Sequence, residues 1–462
     1  MKNKSFLILT CALLSSAPVA QAFDLSQAWR AARTNSADYR AATFNRDAEI
    51  EREKQAKAAL LPQVSLSGSY TYQPPSLSST RTTRNANIQL NQTIYDGSKW
   101  AQYRLSKLNS QAAESELRHN HDDTLLKVSE SYFNVLLAKD TIRAVEAERQ
   151  AYRQQMKQAS EMYERGAATA VDIHEAQAGY DNAVAKEIEA ITRKQIAENQ
   201  LSNYTGLDVE KIEAVPMNHL IERVQPKVKQ RSLAQWQDLA LKNNHEYQNV
   251  KLNAEMADEG VNMARANRLP KVSVSVGYQH SRYQGAQAQQ DYAYTGKGLS
   301  ASLQVSVPLY TGGEIRSKVR EAAARSGEAE SKLLSVERKV KLAVKQAFTE
   351  NNALRYQVLA QERLLNSNRL KLKSTRTGKD FGVRSTLEVM KAQQEVADSE
   401  QKLAEARYRY LQSFLTLIKE SGMDMETAWL ATRGQVVQPT SAFPVKHYQN
   451  MQPKRKYKRK RV

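Results

Sequence analysis

The sequence predicts an internally duplicated membrane protein of mixed α+β class, in which β-hairpins alternate with unusually long helices. Three observations support this fold class. One segment of the chain occurs twice, several stretches alternate between apolar and neutral polar residues, and two long runs almost lack glycine and proline. The repeat indicates how the chain is organised, and the other two patterns indicate its secondary structure.

The duplication relates the two halves of the chain. Residues 25–70 align with residues 233–278 at a constant offset of 208, and 15 of the 46 aligned positions are identical. Self-similarity at a fixed period indicates a structural unit of roughly 200 residues that is used twice. We therefore expect a first repeat over 23–225 and a second repeat over 226–430.

The N-terminus has the pattern of a secretory signal peptide. Lys2 and Lys4 precede an apolar run of about a dozen residues, and the small-x-small sequence Ala20–Ala22 follows as a cleavage site. The run is too short to span a membrane, so we expect residues 1–22 to be removed on export. The only cysteine, Cys11, lies in this segment, so the mature chain offers neither a disulfide nor a thiol nucleophile.

Each repeat opens with a helical stretch that ends at a proline. The stretches cover about 25–60 and 233–269, and they are followed by Pro62 and Pro270. Proline lacks a backbone N–H and pushes the preceding residue toward an extended conformation. An extended segment is therefore expected directly after each proline.

Four strands are predicted after these prolines, as hairpins over about 64–95 and 272–310. Their apolar positions hold aliphatic residues or tyrosine, and the positions between hold Ser, Thr, Asn or Gln with almost no charge. A sheet with a solvated face normally carries Lys and Glu there, whereas transmembrane barrel strands are apolar toward lipid and polar toward a watery lumen. The pattern predicts membrane-spanning strands of about 9 to 12 residues, with a polar loop over 73–84.

Four strands cannot close a barrel, and an open sheet edge is not tolerated in lipid, so several chains must complete it. Two chains would supply 8 strands, whose interior is filled by side chains, and three would supply 12, enough for a passage. A conducting protein favours three chains. We therefore predict a trimeric 12-stranded transmembrane β-barrel with four strands per chain.

The remaining sequence is helical on an uncommon length scale. Between Gly97 and Gly166 there are 68 residues without Gly or Pro, and between Gly313 and Gly378 there are 64 with only Gly327. At a rise of about 1.5 Å per residue, each run would extend on the order of 100 Å. Apolar residues recur at spacings of three and four, as in coiled coils with polar flanks. Return helices are expected over 170–204 and 386–421.

The order of these elements resembles the TolC family of bacterial outer-membrane efflux and secretion channels, up to about residue 430. The resemblance rests on paired segments in both repeats: LLPQVSLSGSY and RLPKVSVSVGY, TIYDGSKW and VPLYTGGEIRSKV, YERGAATAVDIHEAQAGYDNA and GKDFGVRSTLEVMKAQQEVADSE. It implies a homotrimer whose barrel continues into a long α-helical barrel across the periplasm of a Gram-negative bacterium. Such a protein is the exit duct of a tripartite efflux pump or type I secretion system.

The resemblance also implies partners. These are a periplasmic adaptor protein, an inner-membrane transporter of the ABC or RND type, and outer-membrane lipid. No cofactor is implied.

The family further implies a gate at the periplasmic tip, where the helix breaks at Gly166 and Gly382 would lie. The aspartate and arginine of the family's latch correspond here to Asp172 and Arg384, and its tyrosine corresponds to Lys379, which departs from the pattern.

The family's acidic entrance ring would include Glu388, while its second acidic position carries Lys391. Glu175 lies on the same helix face as Asp172 and could restore negative charge to the ring. The alternative interpretation is structural. Asp172 and Glu388 are acids of the first helical turn, which the helix dipole favours, and Arg384 with Glu388 is an ordinary i,i+4 pair.

The positive charge of the chain has a simpler interpretation than nucleic-acid binding. The formal net charge is +19, but seven basic residues lie in the single run Lys454–Arg461. Such a run suits nucleic acid or an anionic cell-surface polymer, whereas in an exported chain a solvated tail is the simpler case. We expect a disordered basic tail over 431–462 and no nucleic-acid partner.

Two apparent site motifs do not fit the chemistry that they suggest. His119 and His121 are two residues apart on a helix and point away from each other, so they cannot share a metal ion there. The string 296–301 loosely matches a dinucleotide fingerprint but leads into a strand rather than a helix. No ordered set of nucleophile, base and acid is evident, so the chain is not predicted to be an enzyme.

Two other functional classes stay open on the sequence alone. A passive outer-membrane porin would need many more strands per chain and none of the long helices. A periplasm-spanning coiled-coil structural protein would have no use for four strands with a lipid-facing pattern.

Overall fold

The computed structural model describes residues 23–433, except 77–78, 167 and 288–289. The predicted signal peptide lies outside the described residues, and so does the predicted disordered tail over 431–462 except for residues 431–433, whose first two residues belong to a helix. In the first repeat, helices α1 (Leu25–Asn35) and α2 (Ala37–Ala58) precede strands β1 (Gln63–Ser76) and β2 (Ser79–Tyr95), and the long helix α3 (Gly97–Glu164) precedes the return helix α4 (Ala170–Thr205).

The second repeat has the same order of elements. A connecting helix, α5 (Leu220–Lys229), leads into it, and a short helix follows it. The elements of this repeat are α6 (Leu233–Asn243), α7 (His245–Ala266), β3 (Lys271–Gln287), β4 (Gln290–Ser306), the long helix α8 (Glu314–Asp380), the return helix α9 (Thr386–Glu420) and finally α10 (Met425–Thr432).

The helical stretches that open the repeats are each broken once, which the sequence analysis did not predict. The breaks lie at Ser36 (φ −62°, ψ 121°) and Asn244 (φ −63°, ψ 123°), where the backbone is extended. Each of these residues ends one helix and caps the next, because its side chain accepts the N–H of the residue three positions ahead. The second helices end at Ala58 and Ala266, two or three residues earlier than predicted.

The connection between the repeats contains a helix that was not predicted from the sequence. The boundary placed between residues 225 and 226 falls inside α5, where Pro226 lies within the helix. Leu220, Val224 and Val228 are buried, so this helix packs on the body of the protein through one face. Helix α10, of which Trp429 is buried, was not predicted.

The four strands form one antiparallel sheet in the order β1-β2-β3-β4. They are 14 to 17 residues long, which exceeds the prediction, because most of the polar segment 73–84 pairs as strand. Conversely, β4 ends at residue 306 rather than 310. Ladder hydrogen bonds use the backbone, so neutral polar side chains do not prevent a strand from continuing. One row of the register joins apolar residues on one face of the sheet: Leu66, Ile88, Tyr278 and Leu299.

Both long helices are continuous, with 68 residues in α3 and 67 in α8, as the shortage of Gly and Pro predicted. Helices α8 and α9 pack together along a seven-residue repeat, which keeps the same seam facing the partner helix. None of the helices in the described part of the chain has the length and apolar character needed to cross a membrane. The buried seam consists of Val344, Asn351, Val358, Leu365 and Leu372 on α8, and Val389, Val396, Leu403, Tyr410 and Leu417 on α9.

The seam between α3 and α4 has smaller and more polar residues. Helix α4 buries one alanine in every seven residues, at Ala176, Ala183, Ala190 and Ala197. The main apolar core lies at mid-length of the long helices, where Trp29, Trp236 and Trp429 are buried. The sheet and the helix turns therefore lie at opposite ends of helices that are each about 100 Å long.

Candidate functional site

The candidate site is the end of the molecule at which the long helices turn back. Gly166 and Gly382 have φ of +72° and +75°, a left-handed conformation that glycine adopts without a steric penalty. Each lies two residues after the end of a long helix, and the return helices begin at Ala170 and Thr386. Both predicted helix breaks thus lie in equivalent turns, one from each repeat.

Asp172 caps the start of the first return helix. Its carboxylate accepts the backbone N–H of Thr169 at 2.9 Å and the Thr169 hydroxyl at 2.7 Å. Together with the bond from the Asp172 N–H back to Thr169, these contacts form a capping box. The Thr169 donors lower the pKa of Asp172, and the charge of Lys379 lowers it further. Asp172 is therefore a fixed negative charge at neutral pH.

Glu388 has the same structural role in the second turn. Its carboxylate accepts the backbone N–H of Ser385 at 2.8 Å, and Arg384 Nη1 lies 2.6 Å from its other oxygen. The Ser385 N–H, and then Arg384, lower the pKa of Glu388. Within one chain, Arg384 thus pairs with Glu388, as the structural interpretation of these residues stated. The S/T-x-x-E/D pattern of both capping boxes was readable from the sequence but was not used.

Arg384 is held in place by a tight turn. The N–H of Val383 donates to the carbonyl of Gly378 at 2.9 Å, and the N–H of Gly382 donates to the carbonyl of Lys379 at 2.8 Å. These bonds close a helix C-terminus around a left-handed residue. A Cβ on Gly378 would lie 2.7 Å from Cγ of Arg384, so the arginine stem crosses directly over this glycine.

The structure brings some of the predicted latch residues together and leaves others apart. Lys379 lies close enough to Asp172 for its charge to lower the pKa of that carboxyl. Among the described residues, neither Lys379 nor Arg384 forms an ion pair with Asp172, and Glu175 and Lys391 form none at all. The latch and the entrance ring therefore stay predictions.

A buried ion pair between α3 and α4 was not predicted from the sequence. The Glu148 side chain is 0% exposed, and its Oε1 lies 3.2 Å from Nζ of Lys186. Burial raises the pKa of Glu148, and Lys186 opposes this effect. Glu148 lies three residues after Val145 and four before Tyr152, both buried, at a seam position where coiled coils favour apolar residues. A glutamate at such a position is the sequence signal that could have predicted a buried ion pair.

A second missed group joins the two repeats through histidine. The Asp122 carboxylate lies 3.2 Å from Nδ1 of His121 and 3.7 Å from Nε2 of His245, which is the first residue of α7. Burial lowers the pKa of His245, and Asp122 opposes this effect. His119 instead reaches Asp123, at 3.7 Å. In the part of the chain that the structure describes, no group of three or more His, Cys, Asp or Glu residues has a metal-binding arrangement.

Both repeats match one known protein family. The family profile described as outer membrane efflux protein matches residues 28–207 and 236–423, which cover all four strands and both long helices. The chain belongs to the outer membrane efflux protein family. The resemblance to TolC-type channels inferred from the sequence is therefore confirmed.

Individual relatives agree with this membership. The outer membrane protein TolC of Escherichia coli K12 is 27% identical over 456 residues, which cover 96% of this chain and 91% of the relative. The proteases secretion protein PrtF of Dickeya chrysanthemi is 27% identical over 452 residues, covering 93% of this chain and 96% of that protein. The crystal structure of CusC superimposes with a TM-score of 0.76 at 17% identity and covers 89% of this chain and 96% of that one.

Family membership and fold together confirm the predicted architecture and location. The chain is an outer-membrane channel protein of a trimeric β-barrel type, with a four-stranded sheet per chain and a long helical domain in the periplasm. It provides an outer-membrane exit duct of the kind that serves efflux and type I secretion. The continuous long helices exclude the passive porin, and the four strands exclude the simple periplasmic spacer.

Proposed function

We propose that this duct belongs to a tripartite assembly, in which an inner-membrane ABC or RND transporter delivers cargo through a periplasmic adaptor. The observation that carries the proposal is the pair of equivalent, capped helix turns at the end remote from the sheet. The second turn presents Phe381 and Val383, which are 80% and 75% exposed. Two neighbouring apolar side chains on a rigid turn offer contact area to an adaptor protein.

We further propose that charges at these turns hold the duct closed. Asp172 is the anion of the proposed latch, and its capping box keeps it ionised and fixed in position. Arg384 and Lys379 are the cations. A guanidinium has five N–H donors, and the bond to Glu388 uses one nitrogen of Arg384, so donors are left for a carboxylate on a neighbouring turn.

The proposed entrance ring has mixed charge. Glu388 and Glu175 contribute negative charge, and Lys391 contributes positive charge. Gly166 and Gly382 are 216 residues apart, and so are Glu175 and Lys391, so opposite charges occupy equivalent places in the two repeats. A ring of mixed sign attracts cations less than a fully acidic ring does.

The latch is tested by removing its charges in the trimer. We expect the double variant Asp172→Ala, Arg384→Ala to raise single-channel conductance in planar bilayers and to let large antibiotics leak into cells. Asp172→Asn separates charge from capping, because an asparagine oxygen still accepts the Thr169 N–H. If the charge holds the gate, Asp172→Asn opens the channel as far as Asp172→Ala does.

Asp181→Ala is the matched control. Asp181 lies nine residues farther along α4 and accepts a hydrogen bond from Gln177 at 3.0 Å, so Asp181→Ala changes the net charge as Asp172→Ala alone does but leaves the turn intact. We expect wild-type conductance from this variant. Unchanged closed-state conductance in the double variant would contradict the latch, while the role as exit duct, which rests on the family, would stand.

A further inference from the structure

The outward face of the sheet carries a group of basic side chains, two arginines, a lysine and a histidine, near its outer end. The register places Arg84 of β2 beside Arg282 of β3, and His280 of β3 beside Lys297 of β4, in two adjacent rows. We call these four residues the cationic belt. Side chains alternate between faces along a strand, and His280 lies two residues after Tyr278, so the belt shares the face of the apolar, lipid-facing residues.

The height of the belt matches the membrane boundary. Along β3 the outward residues from the periplasmic end begin at Val272, and His280 and Arg282 follow eight and ten residues later. At about 3.4 Å per residue and a strand tilt of about 40°, these residues lie about 21 Å and 26 Å above Val272. The apolar band of an outer-membrane barrel is about 25 Å tall. The belt therefore lies where the hydrocarbon ends and the outer headgroups begin.

The positive charge of the belt is not balanced within the sheet. The only acidic residue in the four strands is Asp291, which lies two rows farther toward the hairpin end than Arg282. In the described part of the chain, Arg282 and Lys297 have no ion-pair partner, and Arg84 lies over the ring of Tyr70, 5.5 Å from its centroid. Like charges placed opposite each other destabilise a sheet, so the facing arginines require an anion.

The chemistry of the belt selects the type of anion. A single basic residue near a membrane edge can simply extend its charge into water. Here Arg84 and Arg282 face each other, with Lys297 in the next row, which suits an anion that several donors share. Arginine binds phosphate oxygens through two parallel N–H bonds. We propose that the cationic belt binds the phosphate groups of the lipopolysaccharide of the outer leaflet.

The test compares lipid binding by intact trimers. Trimers of the wild type and of Arg84→Gln, Arg282→Gln would be titrated in detergent with fluorescent lipopolysaccharide, and with the same lipid after removal of its phosphates. We expect the double variant to bind lipopolysaccharide at least tenfold more weakly. The wild type should bind the dephosphorylated lipid as weakly, and its binding of the intact lipid should fall with added salt.

Arg81→Gln is the matched control. Arg81 lies three residues from Arg84 on the other face of β2, over the ring of Tyr283 and 5.1 Å from its centroid. The variant Arg81→Gln therefore removes the same charge as Arg84→Gln, but from the lumen side. We expect wild-type binding from it. Should the double variant fail to assemble, Lys297→Gln is titrated in its place, and we expect it to bind lipopolysaccharide about threefold more weakly. Equal lipopolysaccharide binding by wild type and belt variants, or undiminished binding of the dephosphorylated lipid, would overturn the proposal and leave the proposed gate untouched.

Discussion

Replacing Lys186 by methionine would leave the Glu148 carboxylate without its cation in the seam between α3 and α4. Among the described residues, Lys186 is the ion-pair partner of Glu148, and the second carboxylate oxygen has no hydrogen bond. Methionine keeps most of the lysine stem, so the variant mainly removes charge. We expect the hairpin of α3 and α4 to open locally far more often than in the wild type.

The size of the effect follows from the burial of Glu148. Breaking a buried ion pair costs roughly 3–5 kcal/mol. Protonation limits the cost, because keeping a carboxyl of ordinary pKa about 4.3 neutral at pH 7 takes about 3.7 kcal/mol. Lys186 is 29% exposed, so water already screens part of the pair. We expect a loss of about 3 kcal/mol in the free energy of local opening, which is about a hundredfold in amide exchange.

The loss should depend on pH in a defined direction. Burial raises the pKa of Glu148, so the folded state is penalised above that pKa and the penalty disappears as the pH falls toward the unfolded value. Without Lys186 the pKa rises further. The free-energy cost of keeping this carboxyl neutral, which sets an upper limit on the destabilisation, falls from about 3.7 kcal/mol at pH 7 to about 1 kcal/mol at pH 5. Lys186→Met should therefore be much less destabilising in acid.

Hydrogen exchange of the intact trimer, followed by mass spectrometry at pH 7 and pH 5 over residues 144–160, measures this effect. Lys194→Met is the control, because Lys194 makes a partly exposed pair with Glu198 on the same helix, at 3.0 Å. Such a pair contributes about 0.3–0.5 kcal/mol. The double variant Glu148→Met, Lys186→Met should recover wild-type protection. Wild-type exchange in Lys186→Met at pH 7, or equal losses in single and double variants, would refute the reasoning.

Two further predictions concern the junction of the repeats. Burial lowers the pKa of His245, so below its ordinary pKa of about 6.5 the unfolded state binds a proton that the folded state resists. The melting temperature of the trimer should therefore fall between pH 7.5 and pH 5, and His245→Gln should reduce the fall; an equal fall in both proteins would count against it. Gly422→Ala should abolish heat-modifiable trimer in membranes, because φ is +68° and a Cβ would lie 2.3 Å from the carbonyl carbon of Asn243. Gly260→Ala, with open space at the new Cβ, should accumulate normally, and abundant Gly422→Ala trimer would disprove the steric explanation.

The parts of the fold that depend on local pattern were predictable. The lengths of α3 and α8 follow from the lack of helix-breaking residues, and the alternation in the strands identifies the two faces of the sheet. The predictions failed where a local pattern has two meanings. Ser36 and Asn244 resemble ordinary polar positions within a helix, yet they break it, because their side chains cap the helix that follows.

The gate residues show the same limit. The sequence identified Asp172, Arg384 and Glu388 as charged groups at helix breaks, but it could not decide which of them pair. The structure pairs Arg384 with Glu388, because Arg384 directly precedes the N-cap of the return helix and lies one helical turn from Glu388. The carboxylate of Asp172 instead accepts the Thr169 N–H within its own capping box.

By itself, the sequence determined the duplication, the helix lengths and the membrane-facing pattern, because these properties repeat along the chain at the period of the element that carries them. Only the tertiary structure decided that Glu148 meets Lys186, that Asp122 lies between two histidines, and that three cations and a histidine share two rows of one sheet face. Such contacts join residues from different elements. Their energies depend on burial and distance, which exist only after the elements have packed together.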